Sequence, residues 1–324
     1  MINFLVDPLW TFQSTQTIDI KQKDFNERVQ KTNYLAYKDN GFDAILLGNS
    51  RATYINQNDF DLGYKVFNYA VNAMPIDEYD SVIKNFVALT KKEPKVILLG
   101  IDLFNIGRNQ SDVFKQALLD TQSAFSRYKN LFSLDIFLVS CKNLYTTYKF
   151  NKNIIDRKQR FYDKHMQKGI QTQNTISNKH KIEGSKNAKI SFNYSSSMID
   201  RYKQLQNKYP NSKFIVFTMP VHSIMLEEWG ENKKFMKFYA LWLNDLVQVF
   251  GSVNHFLYDT DISRSYTTFF DAFHFYPNIG NLIAKKVSDD EKMNAEDDFG
   301  IILNKTNIDD YLHTFAKGKT INAL

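Results

Sequence analysis

Two short blocks of this chain carry residue types that could do nucleophilic chemistry together. The first is Gly48-Asn49-Ser50-Arg51 and the second is Asp271-Ala272-Phe273-His274. A serine nucleophile needs a base to take its proton, and that base needs an acid to orient it. Asp and His three residues apart on one tight turn can supply both. The carboxylate holds Nδ1–H while Nε2 faces the serine. The chemistry would be acyl transfer through an acyl-serine. Each block alone has a plainer explanation. A serine after a strand commonly serves as a helix N-cap. Asp-x-x-His also occurs at Asp310 and His313, where a polar, helical stretch suggests an i,i+3 pair on a solvated face.

The elements around the blocks are those that would bring them together. The run 43–48 is apolar and ends in Gly, as a buried strand before a tight turn does. Residues 65–68 and 95–101 are further strand candidates, and 75–92 reads as a helix with Pro75 at its start and Asp77 and Glu78 in its first turn. Strand, helix, strand in that rhythm implies a parallel sheet. Residues 151–191 are rich in Lys, Asn, Gln and Ser and contain no clear strand, so they read as an insertion, a lid or a disordered excursion. The rhythm then resumes: helix 195–209, strand 213–218, aromatic-rich helix 232–250, last strand 253–258 and last core helix 278–287. Residues 291–324 read as a polar tail with an apolar cluster at 299–303. The expected fold is an α/β three-layer sandwich with a mainly parallel central sheet and a polar insertion. In such sheets sites lie at the carboxyl ends of strands, which is where Ser50 falls.

Composition narrows the function classes. The chain has 324 residues, 43% hydrophobic and 15% aromatic, enough for one large domain or two. The net charge is +6, with charges mixed along the chain, so a nucleic-acid partner is not implied. The single cysteine, Cys141, excludes an internal disulfide. No run of apolar residues is long enough to span a membrane. No Cys/His cluster has metal-ligand spacing, and no Gly-rich phosphate loop is present, so neither metal nor nucleotide cofactor is expected. The opening residues 1–12 are apolar, broken by Asp7-Pro8, and read either as a buried extended segment or as the outer end of a membrane anchor.

Taken together, the strand-Gly-Asn-Ser block near the start and the Asp-x-x-His block before the last helix resemble the SGNH (GDSL-like) hydrolase superfamily, whose fold is flavodoxin-like. The likeness extends to its membrane-anchored bacterial proteins of cell-surface acylation, of the alginate O-acetylation and teichoic-acid D-alanylation type. Val6-Asp7-Pro8-Leu9-Trp10 is similar to their entry just outside a membrane helix. Asn68 and Ala73 are similar to their second block, Leu99-Gly100-Ile101-Asp102-Leu103-Phe104 to their third, and Pro220-Val221-His222 to a late Pro-x-His stretch. The resemblance implies 1–40 as an extension after a missing anchor, 41–290 as the catalytic domain, and a periplasmic location tethered to the inner membrane. It also implies an acyl donor, a glycan acceptor and a membrane acyltransferase partner.

Three positions depart from the family pattern. Asn49 stands where Asp is usual. Asn72-Ala73 stands where a Gly donates its amide to the oxyanion, a role Ala73 can fill if its φ is negative. Asp102 stands where an Asn side chain completes the oxyanion hole, with Asn105 three residues on. An ionised Asp102 would repel an oxyanion. Two functions follow. The first is acyl transfer or ester hydrolysis, with Ser50 as nucleophile, His274 as base and Asp271 as orienter. Ser50, Ala73 and Asn105 would then bind the oxyanion. His222 would line the cleft or serve as a structural residue, and Arg51 would bind an anionic group of the substrate or pair with a carboxylate on the surface. The second is a non-catalytic accessory protein that binds glycan or a membrane partner. The Ser50–His274 distance separates them.

Overall fold

Two apolar runs form the centre of the sheet. In the computed structural model, which describes residues 2–12, 26–37, 41–103, 109–123, 125–150, 175–186, 197–289 and 298–316, AILLG and VILLGI are buried at every position. Continuous apolar strands of this kind suit a sheet covered on both faces. The chain begins with α1 (Ile2–Val6) and α2 (Glu27–Tyr37), then β1 (Ala44–Gly48), β2 (Val66–Asn68), α3 (Tyr79–Thr90) and β3 (Val96–Ile101). Next come α4 (Ser111–Gln122), α5 (Ser126–Phe132), α6 (Leu134–Phe150), α7 (Thr175–Glu183) and α8 (Ser197–Lys208). The remainder is β4 (Lys213–Thr218), α9 (Ser223–Gly230), α10 (Lys233–Phe250), β5 (Ser252–His255), α11 (Asp261–Arg264), α12 (Pro277–Val287), β6 (Ile301–Asn304) and α13 (Ile308–Ala316).

The six strands lie in the order β2-β1-β3-β4-β5-β6. The first five are parallel, and β6 is antiparallel to β5, with Ser252 opposite Asn304. With helices around it, this sheet is a three-layer α/β sandwich. The chain runs from β1 out to β2 and then back to β3 on the other side of β1. The strand order therefore reverses between β1 and β3, and a crevice opens at their carboxyl ends.

Several expectations need correction. The opening residues are a short helix, α1, rather than an extended segment. Asp7 closes it: its carboxylate accepts from the amides of Thr11 and Phe12. The apolar cluster at 299–303 contributes strand β6, so β5 is not the last strand. Residues beyond it pack into the fold through Tyr311, fully buried against Tyr239 and His255. The second Asp-x-x-His lies on α13 with both side chains exposed, as expected. The aromatics Trp229, Phe235, Phe238, Tyr239 and Trp242 are buried core residues. Residues 175–186 of the insertion are helical at their start and docked. Ile182 is fully buried, and the Asn178 amide donates to the Tyr266 carbonyl and the Tyr276 hydroxyl.

Candidate active site

Gly48 and Gly100 pair across β1 and β3 at the strand ends. A Cβ on Gly48 would lie 2.7 Å from the Ala52 Cβ and 2.8 Å from the Gly100 carbonyl oxygen. Only glycine lets the chain turn so tightly into the nucleophile loop. Beyond Ser50 the chain forms a three-residue 3-10 turn, Ala52–Tyr54, rather than an α-helix. A three-residue turn has little macrodipole, so any oxyanion stabilisation must come from individual donors. Asn68, at the end of β2, fastens this turn. Its amide donates to the carbonyls of Ala52 and Ile55 at 2.9 and 2.8 Å.

From the other side, helix α12 presses on the same turn. A Cβ on Gly280 would fall 2.5 Å from the Tyr54 carbonyl oxygen. The loop before α12 carries Asp271 and His274. Asp271 Oδ1 accepts from the backbone amides of Phe273 and His274 at 2.9 and 2.8 Å, which shapes the turn. The His274 ring is stacked on Phe270 and edged by Tyr54.

Ser50 Oγ lies 2.9 Å from His274 Nε2. His274 Nδ1 lies 2.9 and 3.0 Å from the two Asp271 carboxylate oxygens. Burial pushes the Asp271 carboxyl up, but hydrogen bonds from the His274 ring and from two backbone amides, with the ring's charge, outweigh it. The net pKa lies below the ordinary value. An ionised Asp271 fixes the imidazole proton on Nδ1 and leaves Nε2 free to accept from Ser50. Ser50 is thus not a helix N-cap: the N-cap of the following turn is Arg51, with no side-chain cap.

Asp102 sits beside this relay in a neutralised state. Its carboxylate forms an ion pair with the buried Arg51 guanidinium, and the Asn49 amide donates to it at 2.7 Å. Asn49 Oδ1 in turn accepts from the Arg51 amide. Arg51 Nη1 also points at the carbonyls of Met219 and Pro220, at 3.4 and 3.5 Å. Burial lowers the Arg51 pKa to about 9, with the charge of Asp271 opposing the shift, so the guanidinium remains charged at neutral pH. Arg51 is therefore the counter-charge to Asp102: of the two roles open to it, it takes the pairing with a carboxylate, with the guanidinium buried rather than on the surface. Asn49 completes the cluster, and its identity is explained by the carboxylate it holds.

Ala73 and His222 stand apart from the relay. Ala73 has φ of 49°, in the left-handed region, so it does not meet the condition of negative φ set for an oxyanion donor. It lines a separate cavity of about 530 Å³ with Pro8, Arg28 and Ile136. Asn105 lies outside the described residues. His222 is near the acid loop: its amide donates to the Ala272 carbonyl. Its ring is buried against Tyr266 and Phe269, and Nδ1 caps α9 by accepting from Ile224 N. Burial lowers its pKa to about 4, which makes it a neutral packing residue. Sequence reading passed over Phe270, which stacks on the base; the adjacent aromatics Phe269-Phe270 were its only signal. Gly280, which follows the Asp-x-x-His block in the sequence, sets the approach of α12.

Among the described residues no group of His, Cys, Asp or Glu is arranged to hold a metal. No protein-family profile, curated protein or solved structure matches the chain.

Proposed function

We propose that this protein is a serine-dependent acyl-transfer enzyme acting on a cell-envelope glycan through an acyl-serine. The observation that carries the reading is the 2.9 Å separation of Ser50 Oγ and His274 Nε2, with Asp271 bonded to the far side of the ring. His274 takes the Ser50 proton as Oγ adds to an ester carbonyl, then returns it to the departing alcohol. A sugar hydroxyl or water, deprotonated by the same Nε2, then adds to the acyl-serine carbonyl; the bond to Ser50 Oγ breaks and Nε2 returns the proton to that oxygen. The glycan, the periplasmic site and a membrane acyltransferase partner rest on the family resemblance. The neutralisation of Asp102 supports catalysis as well, because an ion-paired carboxylate repels an oxyanion far less than a bare one.

Fluorophosphonate labelling read by intact mass tests the chemistry. Wild type should gain one adduct, and Ser50→Ala and His274→Ala should gain none. A folded wild type that stays unlabelled while the probe reaches the cleft would leave the accessory, binding-only function.

A further inference from the structure

The face built by α1, α5 and α6 exposes apolar side chains that a water-facing surface normally excludes. Along α6, Leu134, Leu138, Tyr145 and Tyr148 recur at helical spacing and are 69%, 57%, 58% and 91% exposed. Phe125 and Phe132, at the two ends of the α5 region, are 74% and 81% exposed. The Asn3 amide donates to the carbonyls of Asn130, Leu131 and Ser133, which seats α1 at the α5–α6 junction. Phe4 and Leu5 of α1 are exposed there too. An amphipathic helix in a globular fold turns its apolar stripe inward; here a long one lies outward. Contiguous apolar surface of this kind marks an interaction site.

Charge identifies the occupant. Residues 125–150 carry four basic side chains and one acidic, a net +3. Lys129 and Lys142 are exposed among the apolar residues. Protein–protein contact cores are depleted in lysine, and a second copy would bring the same positive charge. Apolar and aromatic side chains interleaved with lysines instead match an anionic lipid surface.

We propose that this face seats on an anionic bilayer. Phe132, Leu134, Leu138 and Tyr148 enter the headgroup boundary, and Lys129 and Lys142 meet the anionic headgroups. No described helix is long and apolar enough to cross a membrane, so the contact lies in the plane of the interface. The proposal uses none of the residues of the serine relay.

Flotation of the intact chain with vesicles tests it. Expected is partition onto phosphatidylcholine vesicles containing phosphatidylglycerol, with little onto phosphatidylcholine alone, and weakening by salt. Lys129→Gln with Lys142→Gln should weaken partition by about fivefold per lysine. Phe132→Ser with Leu134→Ser and Leu138→Ser should abolish it. Both variants should keep the wild-type melting temperature, since these side chains face solvent. Absence of partition onto the anionic vesicles overturns the proposal, as does partition unchanged in both variants. So does a dimer that the serine variant converts to monomer, seen by light scattering, with no vesicle binding.

Discussion

Asp102 shows how one side chain changes meaning with its neighbours. Read alone, a carboxylate in the oxyanion region is an obstacle. With Arg51 on one side and the Asn49 amide on the other, it is half of a buried pair. Removing one partner of such a pair strands the other charge, at about 3–5 kcal/mol. Asp102→Asn, which restores the amide usual for the resembled family, should therefore lower stability by that order. Adding Arg51→Met should recover part of the loss, giving a positive coupling in a denaturant-unfolding cycle. Independent, additive effects would show that the pair is not coupled. Ser50, Asp271 and His274 were legible because their residue types and chain order are jointly restrictive. Pairing of Arg51 with a carboxylate was one of its two open roles, but Asp102 was not legible as the partner, because nothing local in the sequence joins positions 51 residues apart in the loops after two different strands.

The elements meet at one tight contact. Strand β1 delivers Ser50, helix α12 follows the loop of His274, and Gly280 lets the helix lie directly on the Tyr54 carbonyl. A larger side chain must displace α12 or the turn. Gly280→Val should cost about 1–3 kcal/mol from overpacking. It should also slow fluorophosphonate labelling at temperatures where the protein stays folded, because the Ser50–His274 separation opens. Labelling at the wild-type rate would show that the helix can shift without moving the base. Most strands were readable, because apolar runs bounded by turns leave few alternatives. Strand β6 was hidden, since four residues in a polar stretch become a strand only through pairing with β5. Helix α1 was hidden for a similar reason: Asp7 and the carbonyls around Asn130 hold five residues too short to be helical alone.

At the scale of the molecule, charges of both signs are mixed along the chain, yet their sums are uneven from stretch to stretch. The positive excess sits in 125–174 and the rest of the chain carries about one negative charge, which a whole-chain sum cannot reveal. Titration is likewise concentrated, in two buried histidines. Burial lowers His222 to about 4 and His255 to about 3. His255 is fully enclosed by Thr218, Tyr239 and Tyr311, while Nε2 of His222 has no hydrogen-bond partner among the described residues. In the unfolded chain both take a proton near pH 6.5. Below that pH the unfolded state binds protons that the native state refuses, so stability falls as pH drops from about 6.5 toward 4. The depressed Asp271 acts in the same direction only below the ordinary carboxylate range. The loss between pH 7 and 4.5 should therefore come mainly from the histidines, with His222 contributing about 2–3 kcal/mol. His222→Gln, measured by denaturant unfolding at both pH values, should lose that much less than wild type. Parallel losses in the two proteins would mean that protonated His222 is tolerated in the native fold, and that acid sensitivity arises at His255 or at the carboxylates.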